Sequence, residues 1–181
     1  MKYPFISLFA IVLFSLGACV DSKKESEPEI VEVKTQETPE VYTSEAMVAE
    51  FNDPKIAEVY VQYINVKTAL VNTNAKDAAL TASKLKEALL EVSENQKMLE
   101  TTEKIMMSDD VEVQRTAFFE LSAAVDSLIS KGLKSGTIYK QYCPMAFGNT
   151  GAFWLSNSRD IMNPYFGDKM LKCGRIQKEI K

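Results

Sequence analysis

Residues 53–92 read DPKIAEVYVQYINVKTALVNTNAKDAALTASKLKEALLEV, and the spacing of apolar side chains in this stretch decides the fold class. Val59, Tyr63, Val66 and Leu70 step by four, three and four, which lays one apolar stripe along a helix. Asp53 stands where an N-cap belongs, with Pro54 at the first helical position, where its missing N–H costs nothing. Asn74 opens a second helix, and Ala78, Ala82, Leu85, Leu89 and Val92 repeat the pattern. Downstream, Met98 or Leu99 with Thr102, Ile105 and Met106 marks a shorter third helix. Asp109 with Glu112 has the spacing of a capping box. Val111, Phe118, Leu121, Val125 and Leu128 then carry a fourth stripe until Gly132 stops it. Four amphipathic helices with short connections predict a mainly α fold, an antiparallel four-helix up-and-down bundle.

Beyond the helices the chain changes character. Gly136, Gly148, Gly151, Gly167 and Gly174 crowd into the last third with Pro144 and Pro164. Residues 137–142 and 152–155 are β-prone, and Gly148 to Gly151 between them reads as a turn, so a small hairpin is expected. A last short strand is expected near 175–180, giving a C-terminal β-hairpin and irregular appendage to the bundle. It should lean its aromatic side chains on one helical face.

The N-terminus has the parts of a secretory leader in order. Lys2 is followed by an apolar run from Phe5 to Leu16 and by Leu16-Gly17-Ala18-Cys19. That run is too short to span a bilayer, which needs roughly 20 apolar residues. Leu16 to Cys19 resembles the lipobox read by lipoprotein signal peptidase. It implies cleavage after residue 18, acylation of Cys19, and an outer membrane lipoprotein held to the bilayer, on the periplasmic face or at the cell surface. Residues 20–50 carry nine acids against three bases, no glycine and no helical stripe. We expect 19–51 to be an acidic, disordered tether and 52–181 to be the folded domain. The rest of the mature chain holds 17 bases and 16 acids, which argues against a nucleic-acid partner.

Chemistry concentrates in sulfur. The chain has no histidine, and with Cys19 assigned to lipid, Cys143 and Cys173 remain. Cys143 and Met145 flank Pro144, where an extended backbone points both to one side. Met170 and Cys173 lie one helical turn apart. Thiolate and thioether are soft donors that favour Cu(I) and Ag(I), so Cys143, Met145, Met170 and Cys173 form a candidate metal site. The competing reading is a Cys143–Cys173 disulfide, reasonable in an oxidising compartment and worth roughly 2–4 kcal/mol.

Four blocks carry a family resemblance: residues 139–146 (YKQYCPMA), 151–156 (GAFWLS), 161–167 (IMNPYFG) and 170–174 (MLKCG). Together with Gln114 to Phe118 they resemble domain of unknown function 3347, over roughly 54–181. The resemblance implies exported lipoproteins and the periplasmic adaptors of heavy-metal efflux pumps, hence copper or silver handling and an efflux complex as partner. Tyr142-Cys143-Pro144-Met145 is also similar to the Tyr-x-Cys-Pro-Met-His core of small heavy-metal-binding domains, with Ala146 where that histidine would stand.

Two functions follow as expectations. The first is a lipid-anchored binding module for Cu(I) or Ag(I). The second is a metal-free structural or partner-binding envelope protein with Cys143 and Cys173 oxidised, docking through Trp154, Tyr165 and Phe166. Catalysis is not expected, because there is no histidine for acid–base work and no nucleophile motif.

Overall fold

The structure is a computed structural model that describes residues 41–93 and 96–181. The expected leader, the acylated Cys19 and the tether as far as residue 40 lie outside the described residues. Within them, no helix is long and apolar enough to cross a membrane.

Four long helices follow one another: α1 (Pro54–Val71), α2 (Ala75–Leu90), α3 (Gln96–Met106) and α4 (Val111–Gly132). The first, second and fourth start at a side-chain cap. Asp53 accepts the Lys55 N–H ahead of Pro54, and Asn74 accepts the Asp77 N–H. The fourth cap differs from expectation by one residue. Asp110, not Asp109, accepts the N–H groups of Glu112 and Val113 at 2.8 and 3.4 Å. Ser108 receives the Asp110 N–H and turns the chain into that register.

The stripes meet in one core. Val59, Tyr63, Val66 and Leu70 are fully enclosed, as are Ala78, Ala82, Leu85 and Leu89, then Phe118, Leu121 and Val125. Neighbours pack in chain order, α1 on α2, α2 on α3 and α3 on α4, and α4 also meets α1. Met98 is core filling, whereas Met107 is exposed.

The fold is mainly helical with a small antiparallel sheet region at its C-terminal end. Strand β1 (Glu50–Phe51) pairs with β2 (Leu133–Ser135). The expected hairpin is present as β3 (Ile138–Cys143) and β4 (Ala152–Ser156), and β5 (Arg175–Ile180) joins the far edge of β3. Between them lie a short turn, α5 (Ala146–Asn149), and a 3-10 turn (Gly167–Met170). Gln177 has no opposite residue on β3, so β5 bulges there.

Aromatic rings fasten this appendage to the helices. Tyr63 of α1 stacks on Phe118 of α4 at 5.0 Å, Phe118 meets Tyr165, and Tyr165 meets the edge of Trp154. The Tyr63 hydroxyl bonds Ser122 and receives the Leu155 N–H of β4, tying α1, α4 and the sheet at one atom.

The segment from Val41 to Phe51, read from composition as the end of the tether, is laid against the domain. Tyr42 and Asn72 exchange two hydrogen bonds of 2.9 Å, through the Tyr42 N–H and the Tyr42 carbonyl. Glu45 accepts from Ser158 and, at its carbonyl, from Asn157, while Ala49 is buried. The folded part therefore begins near Tyr42. Composition missed this because the segment is held by a few side-chain bonds and by Met47, Ala49 and Phe51 packing at alternate positions on the core, not by a helical stripe.

Candidate functional site

Cys143 ends β3, the central strand, and its side chain faces inward opposite Ala152. Cys173 lies just before β5, after a turn in which its N–H donates to the Met170 carbonyl at 3.0 Å. The Asn163 amide holds the Cys173 carbonyl at 2.8 Å, and the Asn163 side-chain oxygen receives the Tyr165 N–H. Gly174 adopts φ 150°, and a Cβ there would press on the Trp154 ring at 3.0 Å. These constraints set the two sulfur atoms 2.7 Å apart. Thirty positions of chain separate them, and only the fold brings them together.

The pair is asymmetric. Cys143 is fully enclosed, whereas Cys173 is half-buried. Desolvation, followed by the hydrogen bond and the charge of Cys143, raises the Cys173 thiol to about 11. At neutral pH Cys173 therefore keeps its proton unless an oxidant or a soft cation displaces it.

The two methionines fare differently. The strand stops at Cys143, and Met145 sits in a turn with φ −87° and ψ −12°, so the alternation that would aim it beside Cys143 does not apply. Its side chain is 48% exposed. Met170 ends the 3-10 turn and is half-buried. Among the described residues no group of three or more His, Cys, Asp or Glu could hold a metal ion. Of the four expected donors, Cys143 and Cys173 are the two whose sulfur atoms the structure brings into contact.

The expected docking face is also revised. Trp154 and Tyr165 are core side chains and Phe166 is half-buried, so they cannot present an open aromatic surface. The indole needed a dry wall for the sheet to lean on the helices, and that use consumed it. Exposed aromatic area lies instead at Phe147 and Phe119, whose rings are 5.3 Å apart. Phe147 has φ 50°, in the left-handed region that few non-glycine residues occupy.

Three buried polar side chains escaped the sequence reading. Lys67 is 1% exposed and donates to the Tyr42 hydroxyl at 3.1 Å, with the Tyr42 ring beside it. Burial lowers this amine to about 8, against a smaller opposing pull from Glu45. Arg115 of α4 donates to the Pro164 and Leu70 carbonyls, to Thr73 and to Glu112. The Gln114 amide reaches the Ala75, Ile105 and Ser108 carbonyls. The available signal was position: Lys67 falls between Tyr63 and Leu70, and Arg115 between Val111 and Phe118, at stripe spacing.

Residues 59–136 match the model of a family described as a protein of unknown function, DUF3347. The match spans less than half of the chain and supports the resemblance to DUF3347 over that stretch. No curated protein and no solved structure matches it. The DUF3347 match covers the helical part, Gln114 and Arg115 included, and ends before β3. The thiol pair therefore lies outside the matched residues, in the blocks from Tyr139 onward.

Proposed function

We propose that this chain is an exported, lipid-anchored envelope protein that works by binding a partner, with Cys143 and Cys173 closed as a disulfide. The observation that carries this reading is the 2.7 Å approach of the two sulfur atoms. Bond formation needs a further movement of about 0.7 Å, well within side-chain play. The lipobox-like sequence at Cys19 supports export to a compartment where thiols oxidise. The helices serve as the scaffold, and their chain-order packing with short connections supports the antiparallel up-and-down bundle. The partner face would be the uncharged tip bearing Met145 and Phe147, beside Phe119 of α4. Mass spectrometry of chain isolated from envelopes without reductant tests the disulfide. We expect a mass two hydrogens below the dithiol form and no alkylation at Cys143 or Cys173. Free thiols that alkylate once the chain is unfolded would overturn it.

A second reading keeps the same pair for Cu(I) or Ag(I). It is favoured by the convergence of two soft donors, one of them half-exposed, and by the efflux setting that the family resemblance implies. An ion would displace two protons and spread the sulfur atoms. Titrating the reduced chain with Cu(I) against a chromophoric competitor, with and without Cys143→Ser plus Cys173→Ser, decides it. Equal affinity of the two proteins ends the metal reading.

A further inference from the structure

The two sulfur atoms are not equivalent to an approaching reagent. Cys143 lies on the central strand β3, flanked by β4 and β5, and is fully enclosed. Cys173 belongs to the connection before β5 and is half-buried. The residues around Cys173 are basic: Lys169, Lys172 and Arg175 are all exposed, and no acid occurs between residues 169 and 177. Arg175 lies over the Tyr142 ring at 5.4 Å, next to the strand end that carries Cys143. On the other side, the run from Cys143 to Ser158 contains no charged residue, in a chain that is 25% charged. A small anion approaching Cys173 meets these three exposed cations, and the nearest acid before them in sequence, Asp168, accepts a hydrogen bond from Thr73.

We propose that this pair is opened and closed by thiol–disulfide exchange with a small anionic thiol, and that exchange enters only at Cys173. This rests on the disulfide reading above and adds its polarity and its reagent. The incoming thiolate attacks Cys173 Sγ, an S–S bond to Cys173 forms, and the Cys143–Cys173 bond breaks. Cys143 leaves as a thiolate and takes a proton from water. A second molecule of the thiol attacks its own partner sulfur in the mixed disulfide and releases Cys173. Two thiols become one small-molecule disulfide, and their two electrons reduce the protein disulfide to two thiols. Cys143 acts throughout as the shielded partner that leaves on opening and re-attacks on closing.

Glutathione is the probe. The full chain is prepared as Cys143→Ser and as Cys173→Ser, and each is exposed at neutral pH to glutathione disulfide. After acid quench and trypsin, the peptides Gln141–Arg159 and Cys173–Arg175 report the two sites. We expect Cys173 in the first variant to take up glutathione at least ten-fold faster than Cys143 in the second. Denaturant should erase the difference. Cystamine, the cationic analogue, should react several-fold more slowly than glutathione disulfide at Cys173, and Lys172→Glu should narrow that gap. Equal rates at the two cysteines, or preference for cystamine, would overturn the proposal. A third arm needs no substitution: oxidised native-sequence chain with limiting reduced glutathione should show its mixed disulfide on Cys173–Arg175. Should the isolated chain prove to lack a Cys143–Cys173 bond, the disulfide reading fails. The single-cysteine arms still rule on polarity, because they start from free thiols.

Discussion

The ammonium of Lys67 is enclosed by α1 and by the segment that carries Tyr42, whose hydroxyl is its hydrogen-bond acceptor among the described residues. Its proton is held less tightly in the folded chain, at about 8, than at the ordinary value of 10.5. Below pH 8 both states are protonated and the contribution is flat. Between pH 8 and 10.5 the unfolded chain binds more protons, so stability rises with pH, by at most about 3 kcal/mol. Tyr42 works in the opposite direction. Burial, then Glu45 and Asp160, raise it from 10.0 to about 12, so the folded state holds that proton longer and stability falls above pH 10. Urea midpoints measured from pH 7 to 11 should therefore pass through a maximum near pH 10, and a monotonic decline would contradict this. Lys67→Met should raise stability by about 1–2 kcal/mol and flatten the rise, since an apolar side chain of similar length fills the site without the desolvation cost. Lys67 and Arg115 were legible only as positions on a stripe. Whether a charge at such a position snorkels outward or is enclosed depends on what packs over it, and the stripe does not contain that information.

Among the elements, α4 gives the sharpest contrast. Asp110 caps it and Asp109 does not, so Asp110→Ala should cost about 1 kcal/mol while Asp109→Ala should stay within about 0.5 kcal/mol. Thermal or urea unfolding of the two variants side by side reads the difference. Further along α4, Arg115 binds the chain at Pro164 to the end of α1 at Leu70. Gly167 approaches this knot with φ 58°, and a Cβ there would overlap Thr73 and press on the Arg115 guanidinium at 2.7 Å. Gly167→Ala should therefore destabilise by about 1–3 kcal/mol, through both backbone strain and displacement of Arg115. An unchanged midpoint would show that the turn relaxes freely. Asp168, next in the chain, accepts from Thr73 and leaves the 3-10 turn without a side-chain cap.

Across the whole molecule, a Cys143–Cys173 bond would close a loop over a sequence separation of 30 residues. Loop-closure entropy gives such a cross-link about 3–4 kcal/mol. Reduction should lower the urea midpoint accordingly while leaving helical circular dichroism below the transition unchanged, because the helical core is formed without the sulfur pair. Loss of helix on reduction would show that the sheet region supports the helices more than the Tyr63–Phe118–Tyr165–Trp154 contacts suggest.

The sequence by itself determined the four helices, their buried faces and two of their caps, together with the hairpin and the last strand. Those features depend on periodicity and on residues within a turn of each other, which is local information. Only the tertiary structure decided that Cys143 and Cys173 meet while Met145 turns outward, that Trp154 and Tyr165 are core, and that residues 41–51 belong to the folded part. Each of those outcomes is set by contacts between segments far apart in the chain, where side-chain direction depends on how strands end, how turns bend and which surface happens to lie opposite.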